Sequence, residues 1–169
     1  MENAKPRRNG WVLQLNHWQC FNFDRTNVME FPFDVEYVED ANLFVWRPRG
    51  ILDEAAVNNV LVDLLRRETM AAKPFNRFSD LSLVESFHLT FKYVFHVALH
   101  WRLSYVGREQ IKSAFYVTHP EAAHLVKIHA LVTDLSPLKV EMFEEHEAAA
   151  KWLRVPVESL LPKASGTAP

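Results

Sequence analysis

The sequence predicts an α/β protein built on a mostly parallel sheet, and three observations carry that prediction. Stretches of strand length and strand composition recur along the chain, near Phe33–Tyr37, Leu43–Trp46, Phe75–Ser82, Ile111–Val117 and Leu138–Phe143. From the second onward, segments with the apolar spacing of helices separate them, and strands that alternate with helices pair in parallel through crossovers. Apolar residues make up 49% of the 169 residues, enough for one domain to bury a core without staples.

Each element has its own reason. Phe33, Val35 and Tyr37 alternate with Asp34 and Glu36 as in a half-buried strand. Glu39-Asp40-Ala41-Asn42 is turn-like, and Leu43–Trp46 returns as the second arm of a hairpin closed by Pro48 and Gly50. Asp53 can cap a helix to about Met70, with Val57, Val60, Leu61, Leu64 and Leu65 on one face. Arg66, Arg67 and Glu68 close that helix on its wet side, and Lys73-Pro74 stops it.

Phe75–Ser82 is the third strand, and a very apolar helical pattern runs from Leu89 to Tyr105. Phe91, Val94, Phe95, Ala98, Trp101 and Tyr105 form one stripe, while Leu89, Val97, Leu99 and Leu103 make most other sides apolar too. Such a helix is buried on both faces or paired with another chain. Gly107 ends it. After strand Ile111–Val117, Thr118 and Glu121 form a capping-box pattern around Pro120. That helix runs through Val132, followed by strand Leu138–Phe143 and a short helix Glu147–Leu153.

The organisation expected is an aromatic-rich extension over 1–32, an α/β domain over 33–156 and a tail over 157–169. Trp11, Trp18, Phe21, Phe23 and Phe31 in the extension are expected to pack on the domain or on a second subunit.

Charge and motifs exclude several function classes. A net charge of −2 with dispersed Lys and Arg leaves no nucleic-acid footprint. No run reaches the roughly 18 apolar residues of a membrane span, and the polar first ten residues are unlike a secretory signal. The single cysteine, Cys20, rules out an intramolecular disulfide and suits a cytoplasmic protein. His96 and His100 stand at i, i+4 but lack the Glu of a His-Glu-x-x-His zinc helix, so no metal is expected. His119, His124 and His129 share no tight face. With four glycines there is no phosphate loop, and no cofactor is expected.

Asp80 and Ser82, at the C-terminal end of a strand, lie where open parallel sheets bind ligands. With Ser86, His88 and Thr90 they make the candidate ligand or partner surface. A Ser-His-Asp set can be named from them, but the nucleophile elbow is missing, so the chain reads as non-enzymatic. Asp80 also suits plain turn closure through backbone amides. Phe91, Phe95, Trp101, Trp11 and Trp18 make the candidate dimer surface.

With this order in place, residues 40–156 resemble the SpoIIAA-like, or STAS, family, in the manner of an uncharacterised bacterial branch. The features that carry the resemblance are the hairpin ending in Gly50-Ile51-Leu52, the helix 53–70, Phe78-Ser79-Asp80-Leu81-Ser82, and the closing Val140–Phe143 and Glu147–Leu153. The resemblance implies a mixed, mostly parallel sheet of about five strands with about four helices, the helices on one face. It also implies a regulatory or scaffolding role through protein association, with a regulatory protein as one partner; the apolar helix and the N-terminal aromatics point to a homodimer as the other. In the family's anti-sigma-factor antagonists an Asp-Ser-Ser-Gly turn carries a phosphorylated serine. Laid without gaps on this chain, that turn falls on His88, Leu89, Thr90 and Phe91, and Thr90 keeps the hydroxyl. The alternative implied is a small-molecule or lipid-binding protein of Sec14-like character, with the apolar helix walling a pocket.

Overall fold

The computed structural model describes residues 34–107 and 109–162. The extension 1–32, with Trp11 and Trp18, lies outside the described residues. Strands β1 (Asp34–Val38) and β2 (Leu43–Arg47) form the expected antiparallel hairpin, joined by a 3-10 turn over Glu39–Ala41. Asn42 ends that turn in the left-handed region, where asparagine is tolerated. A short strand β3 (Gly50–Asp53) leads into helix α1 (Glu54–Ala71). Strand β4 (Asn76–Asp80), strand β5 (Val84–His88) and helix α2 (Phe91–Ser104) follow. Then come β6 (Ile111–Tyr116), α3 (Pro120–Thr133), β7 (Leu138–Phe143), α4 (His146–Leu153) and a 3-10 turn over Val157–Ser159.

The main sheet has the order β1-β2-β4-β6-β7, antiparallel at β1–β2 and parallel elsewhere. This is the mixed, mostly parallel sheet of five strands with four helices that the sequence predicts. Strand β5, unforeseen in the sequence, pairs in parallel with β3 in a separate ribbon. Val84 and Phe87 bury three residues apart instead of two, and the register shifts at Gly50/Ile51, so no strand alternation marks the segment.

Helices α1, α2 and α3 cover one face of the sheet, packing Val60, Leu64, Trp101, Ala122 and Val126 on Phe44, Trp46, Ile111 and Leu138. The expectation of helices on one face only is corrected. Helix α4 covers the other face, where Ala149, Ala150, Leu153 and the fully buried Leu160 meet Leu43, Val45, Phe78 and Ala114. Both parities of β2 are apolar and buried. A central strand of that composition must be covered twice.

Helix ends account for the other differences. Asp53 caps α1 as expected, accepting from the Ala56 amide at 2.8 Å. α3 is capped by His119, whose Nδ1 accepts from the Glu121 amide at 3.2 Å, and not by Thr118. α2 begins at Phe91, leaving Leu89 in the preceding loop. Its deeply buried residues are Ala98 and Trp101, with Tyr105 at its end. Phe91 (62% exposed) and Phe95 (40%) turn outward, so the stripe read from the sequence is displaced around the helix. Glu68, expected on the wet side of α1, is buried. It follows Val60 and Leu64 at i+4 steps and shares their face.

Candidate functional site

The strand–helix junction expected to carry function separates into two places. Asp80 is buried at the end of β4. Its Oδ1 accepts from the Ser82 amide at 3.0 Å, closing the turn, and its Oδ2 lies 3.7 Å from His146 Nε2. The His146 ring rests 3.9 Å from the centroid of Tyr116. Ser86 and His88 belong instead to the ribbon, in register with Ile51 and Asp53. Thr90 is the N-cap of α2: its Oγ1 accepts from the Tyr93 amide at 3.1 Å and donates to Glu54 Oε1 at 2.9 Å. His96 and His100 are exposed on α2, and no cluster of metal-ligating side chains occurs among the described residues.

A different place has the character of a binding site. A cavity of about 120 Å³ lies between the sheet and helices α1, α2 and α3. Its position follows from the register. On the helix-covered face, Phe44, Arg77, Ser113 and Val140 form one row across the sheet, and Trp46, Ser79, Phe115 and Met142 the next. The two central strands therefore place two serines and an arginine where large apolar side chains normally fill a core. Ser79 and Ser113 are too small to reach the helices, and the hollow forms above them.

Helices α2 and α3 pack side by side, while α1 meets them more sparsely. The gap is lined by Val57 and Leu61 of α1 and by Val94 and Val97 of α2, all partly exposed. One end of this gap is clasped by polar bonds. Besides Thr90 to Glu54, the Tyr93 hydroxyl donates toward Asn58 Oδ1 at 2.8 Å and the Glu54 carbonyl at 3.2 Å. Burial, then the nearby Glu54 and Asp53 charges, push the Tyr93 phenol pKa well up, so it remains a donor.

Beneath the α1 C-terminal half sits an ionic knot. Arg77 Nη2 donates to Glu68 Oε1 at 3.2 Å and to the Tyr105 hydroxyl. Glu68 Oε1 also accepts from the Phe75 amide at 3.1 Å, and its Oε2 from the Tyr105 hydroxyl at 2.7 Å. The guanidinium carbon lies 4.2 Å over the Trp101 ring, a cation–π contact that helps hold a charge out of water.

Several nitrogens around the cavity remain unpartnered. Trp46 (7% exposed) and Arg77 (6%) line it, and Trp46 Nε1 and Arg77 Nε have no hydrogen-bond partner among the described residues. Neither has Nε2 of half-buried His129, which enters from α3 with its ring edge-on to Phe115 at 5.9 Å. Desolvation, then the Arg77 charge, lowers the His129 pKa from 6.5 to about 4, so the ring is neutral near pH 7. Each such orphan costs roughly 1–3 kcal/mol. Three together at an apolar chamber suit recognition of a polar group.

No protein-family model matches the chain, and no curated protein matches it. Among solved structures, it is similar to an uncharacterized protein of the DUF3478 family with a SpoIIAA-like fold from Shewanella loihica. The two are 13% identical, the alignment covers 72% of this chain and 91% of the other, and the TM-score is 0.46. The likeness is one of fold alone.

Arg77, Ser79, Ser113, Trp46 and His129 carry no motif spacing, because four strands and helices far apart in sequence bring them together. One local signal does exist. Phe75-Asn76-Arg77-Phe78-Ser79 puts a cation and a hydroxyl at alternate positions of a central strand, which asks what they face.

Proposed function

We propose that the protein is a non-enzymatic binding module that holds a small, mainly apolar molecule between its sheet and helices α1–α3. The observation that carries this reading is the cavity of about 120 Å³ beside unpartnered nitrogens on Trp46, Arg77 and His129. Native mass spectrometry of the full chain tests it. A small apolar molecule should accompany the wild-type protein and be missing from a folded Ser113→Leu variant, whose side chain fills the hollow. Equal recovery from both proteins, or none from the wild type, overturns it.

A second reading, association with another copy of this chain, is favoured by a separate surface. The C-terminal ends of α2 and α3 lie together, tied by Arg102 Nη1 donating to the Val132 carbonyl at 3.3 Å. Leu103, Val106, Leu131 and Leu135 are exposed at this end, Leu131 at 79% and Leu135 at 83%. Apolar residues clustered in water mark interaction sites more often than isolated ones do. Light scattering should report twice 19.7 kDa for the wild type and a single chain for Leu131→Glu/Leu135→Glu. A monomeric wild type removes this reading and leaves the first untouched.

A further inference from the structure

We propose that the cavity selects an uncharged, ring-sized molecule carrying one strong hydrogen-bond acceptor, a carbonyl oxygen on an aliphatic or aromatic body. The inference rests on the binding-module reading and adds the ligand class to it.

Size comes first. An apolar cavity of roughly 150 Å³ accommodates benzene. A cavity of about 120 Å³ with a gap between α1 and α2 therefore suits one ring and little more. An extended acyl chain would have to leave through the Val57–Leu61 and Val94–Val97 gap.

Polarity comes next. Trp46 and Arg77 line the cavity, and the Nε1 of the one and the Nε of the other, buried and without a partner among the described residues, can only donate. Neutral His129 offers a donor or an acceptor at Nε2, according to its tautomer. The Ser79 and Ser113 hydroxyls line the same space and can do either. A site with an excess of donors asks its ligand for an acceptor.

Charge decides between acceptors. The Arg77 charge is already matched by the buried Glu68 carboxylate. A second carboxylate would give up its water in an apolar chamber to share a guanidinium already neutralised, a poor exchange for an anion. A cationic ligand would give up its water to face groups that mostly donate, with the one nearby carboxylate, Glu68, already paired. The neutral carbonyl is left: it needs one or two donors and brings no charge.

Titration of the full chain at pH 7, followed by amide chemical shifts, tests this with three probes on one six-membered ring: cyclohexanone, its isostere methylenecyclohexane, and the anion cyclohexanecarboxylate. Without a donor in the cavity the alkene wins, because the ketone loses its water for nothing. The expected result is that the ketone binds tighter than the alkene by about tenfold, the worth of one well-made buried hydrogen bond. That order should reverse in Trp46→Phe, in His129→Phe, or in both; each variant is tested for folding by its denaturation curve, and Arg77 is left in place. If no probe binds, the binding-module reading falls and the inference with it. If the alkene or the carboxylate binds tightest, the module stands and the ligand class is wrong. If the ketone wins and neither variant alters the order, the assigned donors, and the inference built on them, are wrong.

Discussion

Replacing Arg77 by methionine would leave the Glu68 carboxylate buried without its cation. Breaking a buried pair from one side costs about 3–5 kcal/mol, and urea denaturation of Arg77→Met should show a loss of that size. The double variant Arg77→Met/Glu68→Gln should recover most of it. The amide oxygen still accepts from the Phe75 amide, and no isolated charge remains. His129 sets a different dependence. Its pKa in the fold, about 4, lies below the ordinary 6.5 of the unfolded chain, so the unfolded state takes up the proton first. The stability this contributes is complete above about pH 6.5 and is lost as the pH falls toward 4, by on the order of 2–3 kcal/mol. Denaturation curves at pH 7 and pH 4.5 should show that drop in the wild type and a smaller one in His129→Phe.

Among the elements, α1 and β7 could be read from the sequence because one physical pattern dominates each. α1 has an i, i+3, i+4 stripe behind an aspartate cap, and β7 has the bounds expected for it, Leu138–Phe143. β5 could not be read, since a bulge breaks its alternation. α2 was legible as a helix but not in its orientation, because a helix apolar on most sides gives no sign of which side meets the sheet. The end of α1 offers a stability test. Ala72 closes it at φ +51°, in the left-handed region, which glycine adopts without a Cβ penalty. Ala72→Gly should stabilise the protein by about 0.5–1 kcal/mol, read as a rise in Tm of roughly 1–4 °C.

For the molecule as a whole, the strand–helix order and the mixed sheet follow from local pattern, and the cavity does not. Phe75, Arg77 and Ser79 face the helices while Phe78 and Asp80 face α4. With both faces buried, sequence alternation alone leaves the polar residues of β4 without an assigned side. Arg47 gives the opposite face a further property. It is fully buried on that side of β2, donating from Nη2 to the carbonyls of Leu160 at 3.1 Å and Leu161 at 3.0 Å, with Asp34 and Glu36 within 3.6 Å of Nη1. Residues 157–161 are thereby riveted to the back of the hairpin. A fluorophore or affinity handle attached just after Pro162 would start out behind the sheet, leaving the gap between α1 and α2 clear, whereas trimming the chain back to Ser159 would strip the guanidinium of both carbonyls.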